Sequence, residues 1–385
     1  MDYIKFKGEI KVSEKVEFLY LQEEELIEAG VLDMKECVST IEEMFHLIGK
    51  GDYMLGGPNR NDHGLMLWFN KEEPFENIPK AGPDRRFMSL ISYLGGAFDV
   101  IGNKWYGSNV ENMDKELPRS IHTFTLNDKE TGAPLAIMAG NLISSMRTGA
   151  VPGVISKHLA KKDAKVLGAV GGGAINQSCI EAIASSVSTL EKIVLFDINL
   201  EKGKQIADKL ERQLNLFVEV VDDLDHCIQQ SDIVTVATSG KIKPEIKKES
   251  IKPGALIILT GAADLSQEVY NQSRIVSDLW SMHKKWLEDG LSHPDGIASI
   301  RDWTMSGQLL ELIHNGEFDD STVDDIGDII SGQKTGRNTE DEVIICMTGG
   351  LPTEDVAWAY KVYQNALKNN IGTALPLWES SYLTK

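Results

Sequence analysis

The middle of the chain alternates short apolar runs with segments of helical period. Runs rich in β-branched residues predict five strands, at residues 165–170, 192–196, 217–221, 233–237 and 255–259. Helical patterns separate the first four strands, at residues 175–186, 200–214 and 223–230. Strands that are apolar at consecutive positions are typical of a sheet buried on both faces. The pattern therefore predicts an α/β fold with a Rossmann-type, doubly wound parallel sheet, to which residues 274–276 add a sixth strand.

The segments on either side of this region show a mixed pattern. On the N-terminal side, a helix is predicted around residues 38–48 and strands at 121–126 and 135–138. On the C-terminal side, Thr353 is placed to cap a helix whose first turn carries Glu354 and Asp355. These flanking segments predict α+β structure outside the parallel sheet.

Length and composition narrow the class of protein. The 385 residues exceed what one hydrophobic core usually supports, so two domains are expected. The formal charge of -19 disfavours nucleic acid and anionic membranes as partners. No apolar stretch of about 18 residues and no leader-like start is found, so we expect a cytoplasmic protein. The four cysteines form no C-x-x-C pair, which predicts buried small side chains and neither a disulfide framework nor a metal site.

A glycine turn follows the first predicted strand of the sheet. Gly171 and Gly173 allow a tight turn, and Ala174 and Ile175 open the next helix. Free backbone N–H groups and the helix dipole at such a turn can hold the pyrophosphate of a dinucleotide. The frame reads G-x-G-x-x-N, with Asn176 in place of a third glycine.

An acidic residue ends the second predicted strand. Asp197 is placed to accept hydrogen bonds from both hydroxyls of an adenosine ribose, which favours NAD over NADP. Lys202 and Lys204 follow closely and leave NADP open as an alternative. Thr238 and Ser239 leave the fourth strand at its carboxyl end, where they either line the nicotinamide side or form a loop of small residues.

Several short motifs occur in a fixed order along the chain. They are Gly102-Asn103-Lys104-Trp105, the turn at residues 127–134 (NDKETGAP), the run at 145–150 (SMRTGA), Gly336-Arg337 and the block at 349–355 (GGLPTED). As a set, these motifs resemble those of the ornithine cyclodeaminase and μ-crystallin family.

The resemblance implies a domain arrangement and a set of site residues. Residues 1–145 and 340–385 would together form a substrate-binding and dimerisation domain, with the Rossmann domain inserted at 146–339, and the protein would be a homodimer. Arg60, Lys104 and Arg147 would bind the substrate, Thr148 would contact the cofactor, and Lys104 and Asp264 would be catalytic. A desolvated substrate carboxylate requires paired cations, and the fork of Arg147 suits bidentate pairing. Taken alone, each of these cations is equally well explained as a solvated side chain.

This chain departs from the family pattern in three places. The acid after the fifth strand, Asp264, stands one residue later than the family's aspartate. The stretch between Gly57 and Lys104 is longer. Residues 279–306, with Trp280, Trp286 and Trp303, resemble an insertion that forms either a lid or a subunit contact. His63, His122 and His283 have no distinctive spacing and are expected to be solvated or structural.

The resemblance implies chemistry at the α-carbon of a small amino acid or its imine. The leading hypothesis is an NAD-dependent ornithine cyclodeaminase, which converts ornithine to proline with loss of ammonia. The alternative is an NAD(P)-dependent dehydrogenase or reductase that acts on alanine, a cyclic ketimine or an N-substituted amino acid. A third hypothesis, from another class, is a non-catalytic NAD(P)-binding protein.

Overall fold

Two eight-stranded sheets organise the computed structural model, which describes residues 15–72, 74–82, 84–238, 242–301 and 303–384. The N-terminal elements are β1 (Val16–Leu21), α1 (Glu23–Glu28), α2 (Met34–Lys50), β2 (Tyr53–Leu55), β3 (Leu65–Trp68), β4 (Arg86–Leu94), β5 (Val100–Ser108), β6 (Ser120–Asn127), β7 (Pro134–Ala139) and α3 (Asn141–Leu159).

The second part of the chain builds the other sheet and then returns to the first. Its elements are β8 (Val166–Val170), α4 (Ala174–Ser186), β9 (Lys192–Phe196), α5 (Leu200–Leu214), β10 (Phe217–Val221), α6 (Leu224–Gln230), β11 (Ile233–Val236), β12 (Glu245–Ile246), β13 (Leu256–Leu259), β14 (Asp264–Leu265), α7 (Gln267–Gln272), β15 (Arg274–Ser277), α8 (Trp280–Ser292), α9 (Ala298–Arg301), α10 (Gly307–His314), β16 (Asp324–Asp325), α11 (Ile326–Ile330), β17 (Ile344–Met347), α12 (Pro352–Asn369) and β18 (Thr373–Trp378).

The second sheet is parallel and confirms the predicted fold class. Its strand order is β10-β9-β8-β11-β13-β17-β15-β16, which begins as a Rossmann sheet does. The five predicted strands and the sixth are present, and the intervening helices agree with the prediction to within one residue at each end. β11, β13 and β17 are buried at every position, because helices cover both faces of the sheet.

The first sheet is mixed and takes strands from both ends of the chain. Its order is β18-β1-β7-β6-β5-β4-β2, with β3 paired to β4, and β1 and β7 form its parallel pair. Helix α12 packs on β4 and β5 of its inner face, and α2 packs against α12 and α3. Helix α2 is capped by the side chain of Asp33 and ends at Gly51, whose φ lies in the left-handed region. The C-terminal helix begins at Pro352, so the predicted cap at Thr353 was wrong, and Leu351 precedes the helix instead.

The predicted boundary at residue 340 needs correction. Strand β17 was not predicted and lies between β13 and β15 in the parallel sheet, so this sheet extends to Met347. The other boundary, between residues 145 and 146, falls inside α3. We keep the division into two domains as a proposal, with the return to the first sheet placed after Met347.

Helix α3 was also missed by the sequence pattern, because Gly149, Pro152 and Gly153 are poor helix formers. Close packing against α4 explains the two glycines. A Cβ on Gly149 would lie 2.3 Å from Cβ of Ser178, and one on Gly153 would lie 2.9 Å from Cβ of Ala182. The glycines therefore let α3 pack closely against α4, the helix that follows the glycine turn.

Candidate active site between the two sheets

Strand β5 carries Lys104 beneath the start of helix α12. Gly102, two residues earlier on the same face, would place a Cβ 2.8 Å from Cγ2 of Val356. A side chain at residue 102 would push the strand and helix apart. The glycine of the G-x-K motif thus allows Lys104 to reach Asp355, and the Nζ–Oδ2 distance is 2.7 Å.

A buried ion cluster joins β5, α3 and α12. Arg147 on α3 donates through Nε to Oδ1 of Asp355 at 2.9 Å and through Nη1 to Oε2 of Glu354 at 2.5 Å. Lys104 also donates to Oγ of Ser144 at 3.3 Å. The four charged side chains are at most 7% exposed, so each ion pair is screened very little by water.

The pKa values in this cluster are set by burial and by neighbouring charges. Burial and the charge of Arg147 lower the pKa of Lys104 to about 8, although Asp355 opposes the change. Burial raises the pKa of Glu354 to about 7. The charge of Arg147 opposes this increase only in part, and the negative charge of Asp278 adds to the increase. Burial also acts on Asp355, but Arg147 and Lys104 outweigh it and hold the pKa of that carboxyl below its usual value. Glu354 and Lys104 are therefore the groups that titrate near neutral pH.

A second buried acid holds the turn that precedes α12. Oδ2 of Asp278 accepts hydrogen bonds from the backbone N–H groups of Gly349 and Gly350 at 2.6 and 2.9 Å. Its Oδ1 is 2.8 Å from Nε2 of His283, which is fully buried and structural, as expected. Gly350 has a φ of +80°, and a Cβ there would lie 2.7 Å from Nη1 of Arg147. The Gly-Gly pair thus lets the chain turn against the arginine.

A cavity of about 310 Å³ opens beside the ion cluster. Lys104, Arg147 and Glu354 form one part of its wall, and Thr260 and Thr348 contribute from the carboxyl ends of β13 and β17. Ligands of open α/β sheets bind at such strand ends. The cavity therefore places a cationic site next to the edge of the parallel sheet where a dinucleotide is expected.

Two histidines and two tryptophans complete the wall. His63 and His122 line the cavity, and burial together with the charge of Lys104 lowers the pKa of each to about 3, so both are neutral imidazoles at neutral pH. Trp286 and Trp303 come from the segment at 279–306, and their rings pack edge to face at 5.5 Å. Within this chain the described part of the segment lines one side of the cavity.

Two of the predicted site residues do not reach the cavity. Arg60 is exposed on the loop between β2 and β3 and is absent from the cavity wall. Asp264 lies on β14, where its N–H donates to the carbonyl of Pro244 and the strand pairs with β12. Ala263, one residue earlier, is buried. A displacement of one residue in an extended chain turns a side chain to the opposite face, so we withdraw Asp264 and Arg60 from the site.

The glycine turn has the geometry expected of a dinucleotide site. Gly171 has a φ of +90°, and a Cβ on Gly172 would lie 2.7 Å from Cδ1 of Ile206. Helix α4 starts at Ala174 with no side-chain cap, which leaves the N–H groups of its first turn available. Oδ2 of Asp197 accepts from the N–H of Gly172 at 2.7 Å, so the acid lies at the turn as predicted.

Asn176 explains the missing third glycine. Its Nδ2 donates to the carbonyls of Gly171 and Val170 at 2.6 and 3.1 Å, and its Oδ1 accepts from Thr235 of β11 at 3.0 Å. The amide thus fixes the turn to the centre of the sheet. Thr238 packs against the same turn, since a Cβ on Gly171 would lie 2.9 Å from its Cγ2. Ser239 lies outside the described residues.

The fold brings to the cavity and its ion cluster several residues that no sequence pattern marks as functional. The pattern indicates Glu354 and Asp355 only as first-turn acids of a helix, although they end the motif at residues 349–355, and the structure pairs them with Lys104 and Arg147. Arg86 and Arg119 line the cavity from the starts of β4 and β6 and carry no local sequence signal, because only strand pairing brings them together.

The chain is similar to known proteins over most of its length. The family model described as "Ornithine cyclodeaminase/mu-crystallin family" matches residues 31–370. The chain belongs to this family. A curated relative, the N-((2S)-2-amino-2-carboxyethyl)-L-glutamate dehydrogenase of Staphylococcus aureus, is 28% identical over 299 residues, which is 76% of this chain and 82% of that protein.

Solved structures of family members superpose on most of the chain. An archaeal alanine dehydrogenase dimer with bound NAD is 25% identical, with a TM-score of 0.76, over 94% of this chain and 100% of that one. The Δ1-pyrroline-2-carboxylate reductase of Thermococcus litoralis, in complex with NADH and L-proline, is 26% identical with a TM-score of 0.73, over 92% and 99% of the two chains. These relatives are oxidoreductases, and both structures hold NAD or NADH.

Two kinds of feature are absent from the described part of the chain: a membrane-spanning helix and a cluster of metal ligands. No helix there is long and apolar enough to span a membrane. Within the same residues, no group of three or more His, Cys, Asp or Glu side chains is arranged to hold a metal ion. Cys37, Cys179, Cys227 and Cys346 are free and buried, as predicted.

We predict that Glu354→Gln changes how stability depends on pH. A carboxyl whose pKa is about 7 in the folded state and about 4.5 when unfolded binds more protons when folded, so the stability it contributes is lost as pH rises through this range. In denaturant unfolding, the free energy of unfolding of the wild type should therefore fall by about 2 kcal/mol as the pH rises across this range, and the variant should not show this fall.

Asp232→Asn is the matched control for this measurement. Burial raises the pKa of Asp232, but the hydrogen bond from Lys252 outweighs it, so this carboxyl has a pKa below its usual value and is ionised throughout the range. The control should keep the wild-type slope. Equal slopes in Glu354→Gln and the wild type would show that Glu354 does not titrate here.

Proposed function

We propose that this protein is an NAD-dependent oxidoreductase that acts at the nitrogen-bearing α-carbon of an amino acid or the corresponding imine. The observation that carries the proposal is the cavity in which Lys104 and Arg147 lie next to the carboxyl ends of β13 and β17 in the parallel sheet. The relatives described above are named as dehydrogenases or reductases, that is, as enzymes of net redox reactions. This favours a dehydrogenase or imine reductase over ornithine cyclodeamination.

The residues of the cavity suit substrate binding. The substrate carboxylate would bind at Arg147 and Lys104, whose positions are fixed by Asp355. Trp286 and Trp303 would exclude water, which strengthens these charge-assisted hydrogen bonds. Ser144 accepts a hydrogen bond from Lys104 and orients its amine.

Oxidation to an imine requires that the substrate nitrogen lose its ammonium proton, and reduction requires that it regain one. Lys104 is suited to this exchange, because its lowered pKa of about 8 lies close to the working pH of most enzymes. With the pyrophosphate of the cofactor held at the glycine turn, its nicotinamide would supply or accept the hydride. Thr148, which lines the cavity from α3, and Thr238 remain proposed cofactor contacts.

The function is tested by measuring absorbance of the reduced cofactor. We expect NADH to accumulate in proportion to product with NAD and one member of a panel of L-amino acids, or to be consumed with the matching 2-oxo acid and ammonia. Lys104→Gln should lower the rate by at least about a hundred-fold, and the exposed Lys165→Gln should leave it unchanged. Product formed without net NADH would indicate cyclodeamination, and no turnover with any substrate would favour a non-catalytic protein.

A separate prediction concerns the choice of cofactor. Asp197→Asn should weaken NAD binding by tens-fold, because two charge-assisted hydrogen bonds to the ribose are worth about 2 to 3 kcal/mol. NADP binding should not weaken, since the carboxylate no longer opposes a 2′-phosphate. Asp222→Asn, which changes the exposed acid after the neighbouring strand β10, is the control. Calorimetric dissociation constants equal to the wild type would remove Asp197 from the site.

The outer face of the first sheet supports the proposed homodimer. Leu65, Phe87, Ile91, Trp105 and Ile121 lie on this face and are between 42% and 81% exposed, and Phe87 stacks on Trp105 at 5.8 Å. A cluster of exposed apolar side chains of this kind is typical of an interface. The archaeal structure described above is also a dimer.

Sedimentation velocity should give twice the monomer mass of 42.6 kDa. Trp105→Glu should shift the protein toward monomer, because it buries a charge in the proposed interface. Phe217→Glu, at an exposed position on β10 of the other sheet, should not. A monomeric wild type at micromolar concentration would refute the dimer. The cytoplasmic location and the absence of a nucleic-acid partner stay predictions from the sequence.

A further inference from the structure

The cavity has a second cationic end that the proposed function does not use. Asp84 precedes β4, and its carboxylate pairs with the guanidinium groups of both Arg86 and Arg119. The Nε of Arg119 donates to Oδ2 of Asp84 at 2.6 Å, and Ser108 on β5 donates to the same oxygen at 2.5 Å. The three charged side chains all line the cavity.

The two ends of the cavity differ in their charge balance. At one end, each of the cations Lys104 and Arg147 is paired with an acidic side chain, that of Glu354 or Asp355. At the other end, one carboxylate faces two guanidinium groups, which leaves one positive charge. Arg86 and Asp84 are only 15% and 14% exposed, so water screens this end incompletely and its unbalanced charge attracts a counter-charge.

One donor at this end is also unsatisfied. The Nε–H of Arg86 is buried and has no hydrogen-bond partner within the part of the chain that the structure describes. Its Nη2 donates to the hydroxyl of Tyr106 at 3.2 Å. Buried donors of a guanidinium are normally paired, so an acceptor supplied by a ligand would complete the set.

The aromatic ring of Tyr106 spaces the two ends. Cζ of Arg86 lies 5.7 Å from the centre of this ring, and Nζ of Lys104 lies 5.8 Å from it. The neutral ring of His122 packs against Tyr106 with the ring centres 4.8 Å apart. An acidic side chain of a few carbon atoms can therefore extend over the ring from one cationic end to the other.

We propose that the substrate of this enzyme carries two carboxylates: the α-carboxylate at Lys104 and Arg147, and a second, side-chain carboxylate at Arg86 and Arg119. This inference rests on the proposed function for the reaction, but the selection of an acidic side chain is a property of binding alone. It names the substrate class as acidic amino acids or their imines.

Binding of matched pairs tests the proposal. Titration calorimetry would compare L-glutamate with L-glutamine and L-aspartate with L-asparagine, in the presence and absence of NAD, because each pair differs only in the charge and donors of the side-chain terminus. At least one acid should bind about ten-fold or more tightly than its amide, since only the carboxylate can pair with the guanidinium groups.

Variants then locate the preference. Arg119→Gln is the first choice because its side chain is 43% exposed and the fold should tolerate the change. It and Arg86→Gln should each reduce the preference for the acid to within about three-fold, because a neutral amide cannot replace a charged fork. Arg85→Gln is the control, since Arg85 donates to the carbonyl of Lys80 and does not line the cavity.

The results separate this inference from the proposed function. Amides that bind as tightly as their acids, no binding of any of the four ligands, or an intact preference in both Arg119→Gln and Arg86→Gln would each overturn the inference and identify the three residues as a structural ion network. A selective loss in the variants together with no cofactor turnover would uphold the inference and overturn the proposed reaction. Turnover of amino acids with uncharged side chains as efficiently as of acidic ones would uphold the proposed reaction and overturn the inference.

Discussion

The site depends on one buried carboxylate, that of Asp355. It accepts hydrogen bonds from Lys104 of β5 and Arg147 of α3 and so joins three elements that are far apart in sequence. Each of the two cations would be costly to bury without this partner, because the desolvation of an unpaired charge outweighs most single favourable contacts. The carboxylate therefore determines where the cations lie, and through them where a substrate can bind.

Small residues make this ion cluster possible. Gly102 lets β5 approach α12, Gly350 lets the preceding turn pass beside Arg147, and Gly149 lets α3 pack on α4. These glycines have no side chain that could contact a ligand. A larger residue at any of these positions would nevertheless displace its neighbours and so shift a charged group of the site. The motifs therefore specify the positions of the charged groups to within about an ångström, in addition to supplying the charges themselves.

The cofactor side and the substrate side are linked by the packing of α3 on α4. Helix α4 begins at the glycine turn, and α3 carries Arg147 and Thr148, so the contact between these helices sets the distance between the turn and the cations. Asn176 strengthens the same region by fixing the turn to β11. The tryptophans Trp286 and Trp303 line the cavity from the other side, and the buried Asp278 holds the turn that precedes α12.

The sequence alone determined the parallel sheet, the glycine turn with Asp197, and the family, because these depend on local periodicity and on short motifs whose residues act as neighbours. It also predicted Lys104 and Arg147 as site residues, and both line the cavity. Only the tertiary structure decided that Asp264 does not line the cavity, that β17 inserts into the parallel sheet, and that Glu354 and Asp355 pair with the cations. It alone brought Arg86 and Arg119 together, since long-range strand register and the burial of charge are not visible in any local stretch of the chain.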